Sequence, residues 1–110
     1  MYWKEIPVQV QGQDDSRTVS RPLDPRFQKG VDAVAMFDGS SGTDDYLLSW
    51  EWGEFREVEG SAESAANMAA EWLNCRFPDD FVARIRDVQR EGQRDPTPGA
   101  IDHWANSDTA

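Results

Sequence analysis

The chain is poor in the residues that build catalytic and metal sites. Among its 110 residues it has one cysteine, Cys75, and one histidine, His103. A single cysteine excludes an internal disulfide, and these two residues are too few for a thiolate zinc site or a histidine-based triad. The nucleotide, hydrolase and redox patterns GxGxxG, GxSxG and CxxC are absent as well. We therefore expect a protein that is not an enzyme and that has no catalytic residue, metal or cofactor.

Long apolar runs and positive charge are scarce too. No stretch approaches the roughly 20 apolar residues that span a bilayer, and residues 1–10 lack the pattern of a signal peptide. Twenty-one acidic residues against 11 basic ones give a net charge of −10. Such a charge repels nucleic acids and anionic lipid surfaces and attracts basic protein surfaces. We expect a cytoplasmic protein that binds another protein, not nucleic acid or membrane, while a small-molecule ligand stays open as an alternative.

What the chain does contain is enough bulky material for one small core. Five Trp and five Phe are present. Ile6, Val8 and Val10 alternate with other residues, which indicates a half-buried strand, and Pro7 favours an edge position or the strand's start. After a Gly- and Asp-rich turn, residues 17–21 are predicted to pair back and complete a hairpin.

The first helix is predicted from Asp24, an N-cap type of residue, and Pro25, which suits the first helical position. Phe27, Val31 and Val34 form its apolar stripe, and it should end near Phe37.

The segment "YLLSWEWGEFREV" is predicted to be one long strand. Alternate residues from Tyr46 to Trp52 share one face, and a bulge near Gly53 would return Phe55 to that face. We expect Trp50 and Trp52 to be buried under the helices, because a small sheet needs its largest rings inside. The competing interpretation is an exposed aromatic patch that grips a partner.

Two further helices are predicted after this strand. Ser61 should cap the first of them. Its predicted inner face consists of Ala65, Met68, Ala69, Trp72 and Cys75 or Arg76, so Cys75 is expected to be a buried structural residue. The last helix should start around Pro78, with Phe81, Ile85 and Val88 as its stripe.

The predicted fold class is α+β. A small antiparallel sheet of about three strands is expected to carry two or three helices on one face, as a two-layer sandwich. We assign residues 1–91 to this single domain and residues 92–110 to a flexible C-terminal tail.

Two groups of residues are candidates for protein interaction. Arg84, Arg86 and Arg90 place positive charge on the last helix, where they form either a solvated face balanced by nearby acids or a docking surface. Ile101 and Trp104 stand in an otherwise polar arm. They form either a docking motif that orders on a partner or an arm folded back onto its own domain.

Four segments resemble one known family. They are "MYWKEIPVQVQ", "SRPLDPRFQKGVDAVAM", "DDYLLSWEWGE" and "VEGSAESAANMAAEWL", in this order over residues 1–82. The resemblance is to a small bacterial domain named virulence factor, which also occurs within conserved virulence factor C. Larger relatives carry the domain beside HEAT-type repeats or an iron–sulfur scaffold-like domain, and this chain has neither neighbour.

The resemblance implies an accessory role and no catalytic signature. Together with the residues, it favours a non-catalytic accessory or protein-interaction module. The alternative is a small cofactor- or ligand-binding subunit linked to folate or corrinoid one-carbon metabolism, because short relatives are found among such genes. An aromatic pocket near Trp50, Trp52 or Trp72 would serve that alternative.

Overall fold

The computed structural model describes residues 1–53, 58 and 60–106. The strands are Tyr2–Trp3 (β1), Ile6–Pro7 (β2), Gln9–Gln13 (β3), Thr18–Pro22 (β4) and Trp50–Glu51 (β5). The helices are Pro25–Asp38 (α1), Asp44–Leu48 (α2), Ala62–Arg76 (α3) and Phe81–Arg90 (α4), followed by a 3-10 helix, Asp102–Asn106. Three short strands form an antiparallel sheet in the order β2-β1-β5, and β3 and β4 form a separate hairpin. The predicted α+β class is confirmed.

The hairpin between β3 and β4 confirms the predicted pairing. Gln9 lies opposite Pro22, and Gln13 lies opposite Thr18. The single strand predicted around Ile6, Val8 and Val10 is divided in two. Strand β2 ends at Pro7 and joins the three-stranded sheet, whereas β3 begins at Gln9 and belongs to the hairpin. The turn of the hairpin is organised by Asp14, whose carboxylate accepts hydrogen bonds from the backbone amides of Ser16 (2.8 Å) and Arg17 (2.9 Å).

Helix α1 has the predicted bounds and stripe. It begins at Pro25, and Gly39 ends it in the left-handed conformation with φ of 86°. Phe27, Val31 and Val34 are fully buried. Gly30 lies against the ring of Phe81 in α4, where a Cβ atom would overlap the ring, so glycine allows α1 and α4 to pack closely.

The prediction of a strand from Tyr46 to Trp52 is wrong. Its first part is helix α2. Two acidic residues occupy the first turn of this helix, where their negative charge interacts favourably with the helix dipole. The indole of Trp3 donates a hydrogen bond of 2.9 Å to the carbonyl oxygen of Tyr46 and thereby holds α2 against β1. Strand β5 is only two residues long, and Trp50 pairs with Trp3 across the sheet. The prediction of a bulge near Gly53 is wrong as well, because β5 ends at Glu51 and Gly53 lies beyond it, whereas Phe55 lies outside the described residues.

The two tryptophans of this segment differ in burial. Trp50 is half-buried and packs edge-to-face on Tyr46, with ring centroids 6.3 Å apart. Trp52 is 44 % exposed, so the prediction that both rings are buried is wrong for Trp52. The strand ends at Glu51, and Trp52 therefore has no sheet face on which to pack.

Helix α3 begins as predicted but buries a different face. The side chain of Ser61 caps the helix by accepting a hydrogen bond of 3.1 Å from the amide of Ser64. The helix packs on the β3–β4 hairpin. Its buried residues are Ala62, Ala66, Ala70 and Leu73. At 100° per residue this stripe lies roughly 100–120° around the helix from the predicted inner face.

The physical reason is the close approach of the hairpin. A Cβ atom on Gly12 of β3 would overlap the carbonyl oxygen of Ala62, so the two backbones are in direct contact. Only small side chains fit at such a separation, and the stripe that contains Met68 and Trp72 is too bulky for it. Asp14 strengthens the contact by accepting a 2.8 Å hydrogen bond from the amide of Ala62.

The last helix and the segment that follows it complete the core. Phe81 and Ile85 of α4 are buried as predicted, and Val88 is half-buried. The 3-10 helix packs on α3 and buries Ala105, and Ile101, directly before this helix, is buried as well. None of the helices within the described parts of the chain combines the length and the apolar character needed to cross a membrane.

We predict that Gly12→Ala destabilises the fold by about 1–3 kcal/mol, because the added methyl group must push α3 away from the hairpin. Gly12 does not have a positive φ. In the absence of the contact, alanine would therefore stabilise the protein by about 0.4–1 kcal/mol. Urea unfolding measures the sign, and Ser20→Ala on the exposed side of β4 is the control. A Gly12→Ala protein at least as stable as the wild type would contradict the close approach.

Candidate functional site

The outward side of α3 carries an apolar groove, which we call the α3 groove. Its volume is about 540 Å³. The residues that line it are Val58, Ala65, Met68, Ala69, Glu71, Trp72, Cys75 and Arg76. Six of these eight residues are apolar or a thiol, and five of them belong to the face of α3 that we predicted to point inward. The apolar stripe of α3 was therefore predicted correctly, but the prediction that this stripe faces the core is wrong.

Two apolar side chains of the groove are largely accessible to a partner, and a third is accessible in part. Met68 is 69 % exposed and Val58 is 65 % exposed. Trp72 is half-buried, with part of its ring packed against the core. Contiguous exposed apolar surface is uncommon on proteins that act alone, and it marks interaction sites. The unbranched thioether side chain of methionine also adapts its shape to different partners.

Cys75 lies at the edge of this groove and is exposed. The prediction of a buried structural cysteine is therefore wrong, because it depended on the face of α3 that turned out to be outside. The thiol lies near the C-terminal end of α3.

The three arginines of the last helix lie on two sides of it, because at about 100° per residue Arg84 is roughly 120–160° around the helix from Arg86 and Arg90. Arg84 makes an ion pair of 2.9 Å with Asp80 and lies over the ring of Trp104, 5.7 Å from its centroid. Arg86 and Arg90 are exposed. The ion pair of Arg84 is of the kind that a balanced, solvated face predicts, and for the three arginines together both the solvated face and the docking surface stay predictions.

For Ile101 and Trp104 the structure shows the folded-back arrangement. Ile101 is 7 % exposed and belongs to the core. The ring of Trp104 is half-buried and packs on Phe77, with centroids 6.4 Å apart. Residues 92–106 therefore lie against the domain rather than apart from it. Residues 107–110 are outside the described part, where a flexible end stays a prediction.

A buried cluster of charged side chains holds residues 92–106 against the rest of the domain. The guanidinium of Arg94 is 9 % exposed and donates two hydrogen bonds, of 2.7 and 2.8 Å, to the carboxylate of Glu5, which is 1 % exposed. It also contacts Asp38 at 3.1 Å. Asp38 in turn accepts a hydrogen bond of 2.7 Å from Lys4. Two cations thus balance two carboxylates in a paired geometry.

The cluster perturbs the carboxyl of Asp38. Burial by itself raises the pKa of this group, but hydrogen bonds from Lys4, Ser40 and Arg94 outweigh burial and hold the pKa below its usual value. No local pattern indicates this cluster, since Lys4 and Glu5, Asp38 and Arg94 stand in three separate parts of the chain, and Arg94 reaches the others only when residues 92–106 fold back.

The paired charges of this cluster favour a structural role for it. Its cations and carboxylates neutralise one another, so it offers neither a free base nor a free nucleophile. Within residues 1–53, 58 and 60–106, no three side chains of His, Cys, Asp or Glu group in a way that could hold a metal ion. Of the two features, the α3 groove is the candidate functional site.

We predict that Arg94→Met lowers the free energy of unfolding by about 3–5 kcal/mol, because it leaves the buried carboxylate of Glu5 without its partner. The exposed variant Arg90→Met should change stability by no more than about 0.5 kcal/mol. Urea unfolding measures both. Adding Glu5→Met to Arg94→Met should recover part of the loss, since no unpaired charge is then buried. Equal stability of the two single variants would contradict the role of Arg94.

The lowered pKa of Asp38 predicts a pH dependence. Its contribution is fully present above the pKa of an unfolded Asp, about 3.9, and is lost as the pH falls through the lower folded pKa. The difference in unfolding free energy between the wild type and Asp38→Asn should therefore be large at pH 7 and shrink below about pH 4. Asp87→Asn, at an exposed position of α4, is the control. A difference that does not vary with pH would contradict this assignment.

Comparison with known proteins gives one finding. The family model described as virulence factor matches residues 1–85, which include every residue that lines the α3 groove. No curated protein and no solved structure matches the chain. Because the matched region covers most of the 110 residues, the chain belongs to the virulence factor family.

Proposed function

We propose that the protein is a non-catalytic accessory module that binds another protein through the α3 groove. The observation that carries the proposal is the exposure of Met68 on a helix face that also bears Trp72. Both residue types are enriched at the centres of protein interfaces. Folding leaves this apolar surface in water, and covering it with a partner would release free energy in proportion to the area buried.

Two other observations support parts of this proposal. The buried charges around Arg94 are paired with one another, which favours a structural over a catalytic role for them. The exposed thiol of Cys75 supports the proposal of a cytoplasmic location, because free thiols persist in a reducing compartment.

A second candidate function uses the same groove for a small molecule. The volume of about 540 Å³ falls in the range of ligand sites, and Trp72 offers a ring for stacking. This candidate corresponds to the cofactor-binding subunit of one-carbon metabolism that the family resemblance implied. Quenching of tryptophan fluorescence by a folate or a corrinoid, lost in Trp72→Leu and retained in Trp52→Leu, would favour it over a protein partner.

The test of the first candidate is affinity capture of the tagged protein from its own cells, with proteins quantified by mass spectrometry. Met68→Lys places a charge in the groove, and we expect it to reduce recovery of the partner about tenfold or more. Met36→Lys is a matched control. Met36 lies on α1, is 75 % exposed against 69 % for Met68, and receives the same change in charge.

A protein that is captured by the wild type and by Met36→Lys, but not by Met68→Lys, would support the proposal. Circular dichroism must show both variants folded, as their exposure leads us to expect. Capture that is equal for all three proteins would rule out the α3 groove as the contact surface.

A further inference from the structure

We propose that residues 94–106 form a strap that opens as one unit while residues 1–91 stay folded, and that Arg94 is the latch of this strap. The closed strap buries Ile101 and covers part of the ring of Trp104, and opening exposes both side chains. The strap is thus a conformational device that conceals an apolar pair. This inference goes beyond the proposed function, because none of the residues that line the α3 groove belongs to the strap.

The backbone hydrogen bonds of the strap are local. Each of them joins an amide to the carbonyl oxygen three residues earlier: Ala100 to Thr97 (3.1 Å), Asp102 to Gly99 (3.2 Å) and Trp104 to Ile101 (2.9 Å). Between the parts of the chain that the structure describes, no backbone hydrogen bond joins the strap to a strand or helix of the domain. The strap can therefore leave without breaking a backbone ladder, as segments that open locally do.

Side chains near both ends attach the strap to the domain. At its start, Arg94 donates hydrogen bonds of 2.7 and 2.8 Å to Glu5 and one of 3.1 Å to Asp38. Near its end, the phenol of Tyr2 donates a hydrogen bond to the carboxylate of Asp102. The pair of Arg94 with Glu5 is nearly dry, and breaking such a pair inside the protein is far more costly than breaking an exposed one. It therefore serves as the latch.

The core of the domain depends little on the strap. Among the buried apolar residues within the described parts of the chain, only Ile101 and Ala105 belong to the strap. The others lie in β1, β2, α1, α3 and α4 or beside these elements. The packing of the hairpin on α3 and of α1 on α4 does not involve the strap either. Opening therefore removes two side chains from the core and leaves the remaining contacts in place.

The connection between α4 and the strap combines a hinge with a stiff arm. Gly92 follows α4 by two residues and has a φ of 74°, in the left-handed region that favours glycine. Within the strap, Pro96 and Pro98 fix their own φ angles and restrict the residues that precede them. This composition favours movement of the strap as one piece about Gly92 over fraying residue by residue.

Native-state hydrogen exchange, followed by NMR of the full chain at increasing urea concentrations, measures the opening. The amides of Asp102 and Trp104 report on the strap, and the amide of Val31, buried in α1, reports on the domain. We expect both strap amides to exchange at least about tenfold faster than Val31 in the absence of urea. Their exchange should also rise less steeply with urea, since opening the strap exposes less surface than unfolding the whole protein.

Two variants test the latch and the independence of the strap. Arg94→Met should speed exchange of the strap amides about a hundredfold or more, or abolish their protection, whereas the exposed control Arg90→Met should change it by less than about threefold. Ser61→Ala removes the cap at the end of α3 that lies opposite Phe77, on which Trp104 packs. It should speed exchange of Val31 about threefold or more and leave the strap amides within about twofold.

Three results would overturn the inference. Strap amides that match Val31 in rate, in urea dependence and in their response to Ser61→Ala would mean that the strap leaves only when the whole domain unfolds. Strap amides that keep their wild-type rates in Arg94→Met would mean that the end of the segment frays alone and that Arg94 is not the latch. Strap amides without any protection in the wild type would mean that the strap does not rest on the domain.

Discussion

The contact between the β3–β4 hairpin and α3 determines which side of α3 is buried. Gly12 has no side chain, and the hairpin therefore reaches the backbone of Ala62 directly. A separation this small accepts only alanine-sized residues on the facing side of the helix. Met68 and Trp72 lie on another side of α3 and consequently border the groove. The apolar groove is thus a consequence of tight packing elsewhere in the same helix.

A second long-range contact, the ion pair between Arg94 and Glu5, holds the C-terminal segment on the core. Arg94 forms a forked pair with Glu5, 89 residues away in the chain, and this pair holds the segment that delivers Ile101 and Ala105 to the core. Burying two charges is unfavourable unless their hydrogen bonds are satisfied, and here both carboxylate oxygens of Glu5 are bonded. The same folding-back uses Ile101 inside the domain, which removes it from any docking role for as long as the segment stays in place.

Local signals in the sequence predicted those elements that local physics determines. The helix start at Pro25, the cap at Ser61 and the hairpin follow from neighbouring residues, and all three are present. The segment from Tyr46 to Trp52 was mispredicted because its alternation of aromatic residues outweighed the acidic first turn of α2 and the hydrogen bond from Trp3. That bond joins residues 43 positions apart, and no local pattern reveals it.

The position of the α3 groove also depends on a long-range contact that no local pattern in the sequence reveals. The size and hydrophobicity of Met68 and Trp72 predict that their side of α3 faces the core of the domain. For α3 considered alone this prediction is reasonable, because large apolar residues are usually buried. What reverses it is one glycine in a strand 50 residues earlier, whose effect appears only when the two backbones meet. All the residues that line the groove fall within the region that matches the virulence factor family, whereas Arg94 and Ile101 lie beyond it. The groove and the segment that seals the core therefore belong to different parts of the chain, and a change in Arg94 tests stability while a change in Met68 tests binding.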